Sequence, residues 1–217
     1  MFSLLLAFPL FMPPSSWEVA QTKKPSSYVL VSFVSKDGNT FRPSMNLSTE
    51  EVDVSLKEYV KAVKEINVKE PNTSWRDLGT IDMKAGQGRL AEISSKTPHG
   101  EVKTLQAFFI NKKTAYILTA ASLKKEMPAL QELILTAFRS FSFEDSLSGA
   151  LKSEKQQSRM KEMFSGLGSF SSESDRSLER QKKWDRLQRD IPTEFPEMGG
   201  YWHFLALKEG LSKINAQ

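Results

Sequence analysis

The chain has no cysteine and only two histidines, His99 and His203, among its 217 residues. The first absence excludes disulfides, iron–sulfur clusters, a cysteine nucleophile, a lipid-anchor cysteine and cysteine-ligated zinc. The second excludes a histidine-rich metal site, because neither histidine has a second His or a Cys near it. Long apolar runs are also lacking. The most apolar stretch, Phe2–Met12, is too short to span a bilayer, which needs about 20 residues. No Gly-x-Ser-x-Gly elbow is present for a hydrolase serine. Ala85-Gly86-Gln87-Gly88-Arg89 lacks the spacing of a phosphate loop and is followed by a strand pattern, so it reads as a β-turn. Charge of one sign is not concentrated anywhere. Thirty Lys and Arg face 26 Asp and Glu, for a net +4. Residues 1–145 hold 18 basic and 16 acidic groups, and residues 146–217 hold 12 and 10. Each part is therefore only +2, without the positive patch that nucleic-acid binding requires. No catalytic residue, metal site, cofactor or nucleic-acid partner is expected.

What is present is a soluble-protein composition, 39% hydrophobic and 26% charged, organised in three stretches. Residues 1–14 form an apolar lead. Its length is that of a signal-peptide core, but it has no preceding Lys or Arg and no A-x-A site. It reads either as an export or membrane-anchoring segment or as an arm packed on its own domain. Residues 15–145 carry the patterns of an α+β domain. Trp17–Ala20, Tyr28–Val34 and Phe41–Leu47 read as extended segments, with a turn at Lys36-Asp37-Gly38-Asn39. Ser48-Thr49-Glu50-Glu51 matches a capping box. It would open a helix whose apolar face is Val52, Leu56, Tyr59, Val60, Val63 and Ile66, with Lys57, Glu58, Lys61, Lys64 and Glu65 on the other side. Four strands follow at Trp75–Met83, Arg89–Ser95, Val102–Ile110 and Thr114–Ala121, joined by turns short enough for an antiparallel meander. A second helix spans about Lys124–Arg139, with Pro128 in its first turn. Helices that do not alternate with single strands favour an antiparallel, layered α+β domain over a doubly wound one.

Residues 146–217 form a charged helical extension. Helical stretches at about Ser148–Phe164 and Asp175–Asp190 flank a Ser/Gly-rich linker over Ser165–Ser177. Pro192 and Pro196 are expected to break the chain, and a last helix runs from about Tyr201 to Ile214.

Residues 13–145 resemble the PsbP-like superfamily, which includes the photosystem II extrinsic subunit, Ran-binding Mog proteins and DcrB-type envelope proteins. The resemblance rests on Pro14-Ser15-Ser16-Trp17, Arg42-Pro43-Ser44-Met45-Asn46-Leu47, Leu56-Lys57-Glu58-Tyr59, Gly88 with Ala91, Thr114-Ala115-Tyr116-Ile117-Leu118-Thr119, and Phe138-Arg139-Ser140-Phe141-Ser142-Phe143. It implies an antiparallel sheet flanked by helices, an α/β/α sandwich, and binding more than chemistry. It transfers no site residues and leaves 146–217 outside.

His99 reads as an exposed turn residue and His203 as a half-buried neighbour of aromatics. Glu50-Glu51-Val52-Asp53 reads as acids favoured by a helix dipole, with a weak cation site as the alternative. Trp184, Tyr201, Trp202 and Phe204 stand out in polar sequence, as interface anchors or as residues covering a sheet within the chain. The expectation is a non-enzymatic protein-interaction or assembly module with a protein partner. It would be envelope-associated or periplasmic rather than cytoplasmic, with peripheral or N-terminal membrane association. The alternative is a small-molecule or lipid carrier with a pocket between sheet and helices.

Overall fold

A computed structural model of the chain describes residues 7–21, 26–37, 41–169 and 176–216. In chain order the strands are β1 (Phe8–Leu10), β2 (Trp17–Val19), β3 (Val29–Ser35), β4 (Ser44–Glu51), β5 (Thr73–Met83), β6 (Gly86–Thr97), β7 (Gly100–Asn111), β8 (Thr114–Leu123) and β9 (Ser142–Glu144). The helices are α1 (Leu56–Lys69), α2 (Met127–Arg139), α3 (Glu154–Phe164), α4 (Arg176–Glu194) and α5 (Gly199–Asn215), with a 3-10 turn at Pro196–Met198. They fall into two compact units, Pro13–Ser142 and Met1–Met12 with Phe143–Gln217.

The first unit is the expected α+β architecture, a seven-stranded sheet in the order β2-β3-β4-β8-β7-β6-β5. Every neighbouring pair is antiparallel. The alternation of side chains across the pleat sorts its residues onto two faces. Phe33, Met45, Leu47, Leu105, Ala107, Leu118 and Ala120 line one face and are almost completely buried. Phe141, just after α2, packs there against Phe109 and Tyr116. The other face holds Ala91, Phe108, Ala115 and Ile117, with Tyr59 of α1 over them. Val52, Leu56, Val60 and Val63 complete that contact. A large apolar side chain contributes about 1.5–3 kcal/mol when fully buried. Gly88 is needed for close approach: a Cβ there would come within 2.5 Å of both Met83 Cε and the Phe108 carbonyl.

The start of α1 differs from expectation. Ser48–Glu51 belongs to β4, which pairs with β8 through Glu51 opposite Thr114. The operative capping box lies seven residues later. Ser55 Oγ accepts from the Glu58 amide, and Glu58 Oε2 accepts from the Ser55 amide at 2.9 Å. Both tetrapeptides satisfy the S-x-x-E pattern. The eight-residue ladder with β8 holds the first one extended, because its backbone bonds are already committed there. The dipole reading of Glu50 and Glu51 falls with it. The 36–39 turn and the 165–177 linker lie partly outside the described residues, as do residues 1–6 of the apolar lead.

In the second unit β1 pairs with β9, and α4 packs on α5. The closest approach is at Gly210, where a Cβ would lie 2.7 Å from Leu187 Cδ1. The expected break at Pro192 does not occur, since α4 continues to Glu194. Proline there forfeits the bond to the carbonyl four residues back and crowds it, so packing has to offset the cost. The fully buried Ile191 and Phe195 on either side hold the chain in place. The helices otherwise begin and end within a few residues of the expected positions, except that α3 starts at Glu154 behind an N-cap at Ser153.

Candidate functional site: the sheet face beside the first helix

Helix α1 covers only part of its sheet face. On its β4 and β8 side a groove of about 420 Å³ remains, walled by Tyr59 and Val63 and floored by Gln106, Phe108, Ile117 and Thr119. Register places these floor residues together: Gln106 stands opposite Thr119, and Phe108 opposite Ile117. Ser48 and Glu50 of β4 form the far wall, and Tyr28 stands at the mouth with 63% of its surface exposed.

Two polar features define the groove's chemistry. The Tyr59 hydroxyl donates to Glu50 Oε2 at 2.7 Å. Burial of the ring, then the hydrogen bond to Glu50 and its negative charge, push the Tyr59 phenol well above the usual tyrosine range. Tyr59 is therefore a fixed, protonated donor at neutral pH. The second feature is Gln106. Its Nε2 donates to Thr119 Oγ1 at 3.2 Å, while its buried Oε1 has no hydrogen-bond partner. A hydroxyl both donates and accepts, so exchanging the amide O and N leaves the other buried amide atom unpaired. The deficit persists in either orientation. Leaving a buried polar atom unpaired costs about 1–3 kcal/mol, which a ligand would recover only by displacing the groups that enclose Gln106 Oε1.

The sequence-predicted site residues lie elsewhere. Trp202 is fully enclosed in the second unit: its Nε1 donates to the Leu147 carbonyl at 3.0 Å, and its ring packs on Phe195. Tyr201 is buried beside Phe11, with ring centroids 5.2 Å apart. Trp184 of α4 and Phe204 of α5 are half-buried. His203 Nε2 lies 2.8 Å from the Phe195 carbonyl, and His99 is exposed at the β6–β7 hairpin tip. Ala85 lies in the turn before β6, which begins at Gly86. Among the described residues no cluster of His, Cys, Asp or Glu could hold a metal, and no helix is long and apolar enough to cross a membrane.

The groove residues were missed because each has an ordinary role in sequence. Tyr59 belongs to an amphipathic stripe, and Tyr28 begins a strand. The one available signal was polar residues at positions of β7 and β8 that alternate onto a helix-covered face, Gln106 and Thr119.

The fold is thus an antiparallel α+β sheet flanked by helices, with a helical extension. Among solved structures, the chain is similar to LpqN of Mycobacterium tuberculosis, described as involved in cell envelope biogenesis. That match has 13% identity and a TM-score of 0.48, and covers 64% of this chain and 85% of that one. It is also similar to the cyanobacterial PsbP (CyanoP) of Synechocystis sp. PCC 6803, with 13% identity and a TM-score of 0.47 over 62% and 86% of the two chains. A Pseudomonas aeruginosa protein of unknown function, PA94, a putative regulator by its description, matches with 12% identity and a TM-score of 0.42 over 57% and 94%. No family model matches the chain, and no curated protein does.

Proposed function

We propose that this chain is a non-enzymatic binding module that holds a protein partner on the sheet face beside α1, through the Tyr28–Tyr59–Gln106 groove. The observation that carries this reading is the buried, unpaired Gln106 Oε1 in a groove with the exposed Tyr28 at its mouth. An exposed tyrosine is a low-entropy contact residue, and a buried polar deficit is a cost that a partner removes by displacing the groups that enclose it. Trp184 and Phe204, half-buried on the helical unit, are the two sequence-predicted anchors that retain surface for a partner. The apolar lead supports a place at the bacterial envelope.

The test is a photo-crosslinking residue placed at Tyr28 in the native host, with Lys96 as the exposed control. A discrete protein adduct at Tyr28 that disappears in the Gln106→Leu variant is expected. Equal adducts at both positions, or none at Tyr28, would sink the reading. Gln106→Leu should also leave stability unchanged or raise it by up to about 1 kcal/mol, because it removes an unsatisfied polar atom. A purely structural glutamine would show the opposite sign in urea unfolding. The groove volume also lies within the range of small-ligand sites. Native mass spectrometry showing a bound small molecule, without an adduct, would favour the carrier alternative.

A further inference from the structure

The opposite flank of α1 carries a second depression, of about 550 Å³, between the helix and β5. Its floor is apolar, made by Leu56, Val60 and the half-buried Trp75. Its rim is cationic. Lys57, Lys61 and Lys64 project from one flank of α1, and Arg89 rises from β6. A single acid, Asp77, faces them, and it is already engaged by Arg89 Nη2 at 2.5 Å and by the Gly79 amide at 2.8 Å. The Gly79 amide first, and then Arg89 and Lys64, hold the Asp77 carboxyl below its usual range. Lys61 meets Glu65 only at 4.0 Å, with both side chains largely exposed. Like charges at this helical spacing disfavour the helix. Three lysines on one flank therefore concentrate positive charge above an apolar floor.

The second observation concerns β5. It is the last strand of the sheet, eleven residues long, and only β6 pairs with it among the described residues. Its outer edge has no strand partner among the described residues, though a bulge between Asp77 and Gly79 interrupts it, with the Gly79 amide bonded to Asp77 Oδ1. A strand added there would send every second side chain toward the α1 side of the sheet, beneath the lysines. Lys57 to Lys64 spans about 10 Å of helix, and successive same-side residues of a strand are about 7 Å apart. Two acidic residues of an extended peptide fit that span.

We propose that this groove and the outer edge of β5 receive an acidic, extended peptide segment of a partner protein, its carboxylates under Lys57, Lys61 and Lys64 and an apolar side chain on Trp75. This is independent of the Tyr28 groove.

The experiment is selection of a random dodecapeptide phage library on the full chain and on the Lys57→Glu/Lys61→Glu/Lys64→Glu variant. These helix positions are exposed, so the variant should fold, as circular dichroism would show. Enrichment of peptides that combine Asp or Glu with an aromatic or aliphatic residue is expected. Their affinity should fall at least about tenfold in the triple variant and weaken as salt rises. Amide NMR shifts on adding an enriched peptide should cluster in β5. No enrichment, enrichment indifferent to the charge reversal, or shifts outside β5 and α1 would overturn the proposal. Phosphatidylglycerol vesicles that bind the wild type and not the variant, with no peptide enriched, would overturn it in favour of a lipid surface.

Discussion

Glu92 lies within the sheet with about a tenth of its side chain exposed, bonded to Lys103 Nζ at 2.9 Å and to Arg76 Nη2 at 3.0 Å. Burial alone would raise its carboxyl pKa, but the hydrogen bonds and charges of Lys103 and Arg76 outweigh it and hold the pKa below the ordinary 4.5. A depressed folded-state pKa means that the stabilisation is complete above the unfolded value and is lost as pH falls through the folded one. Glu92→Gln should therefore cost about 1–2 kcal/mol at neutral pH. The gap to wild type should close as pH drops below 4.5, as urea unfolding across pH would show; a gap constant with pH would refute the assignment. Nothing in the sequence marks this residue. An acid in a β-rich stretch reads as a solvated strand position, and only the register of β5, β6 and β7 brings two cations to it. Gln106 was hidden in the same way: its partner is set by the register that places it opposite Thr119.

At the scale of elements, strand patterns proved more legible than helix starts. The four meander strands run within a few residues of their expected bounds, since alternation and turn residues are local signals. The first turn of α1 was misplaced because two S-x-x-E segments compete, and local chemistry alone does not rank them. The ladder with β8 does. Ser55→Ala should therefore destabilise the protein by about 1 kcal/mol, whereas Ser48→Ala, whose hydroxyl sits a long 3.4 Å from the Ile117 carbonyl, should change stability by less than about 0.5 kcal/mol. Equal effects in thermal unfolding would return the cap to Ser48. The uninterrupted α4 has a similar cause, because burial of Ile191 and Phe195 overrides a proline signal that is real in isolation.

For the molecule as a whole, the sheet unit has its own interior on both faces, and the helical unit has another built on Trp202, Phe195, Ile191 and Phe11. A unit of about 130 residues removes roughly two-thirds of its unfolded-chain surface from water. Residues 13–142 expressed alone should unfold cooperatively with dispersed amide resonances; a broad, non-cooperative transition would show that the core is incomplete. Composition and hydrophobic periodicity by themselves determined that this is an α+β chain with a helical extension and no thiol chemistry, because those properties depend on residue type and near-neighbour spacing. Tertiary structure alone decided that Tyr201 and Trp202 are interior residues, that Glu50 meets Tyr59, and that three lysines of α1 line one depression with Trp75 and Asp77. Each of those depends on which segments distant in the chain become neighbours, which is set by the summed burial of whole faces and not by any local motif.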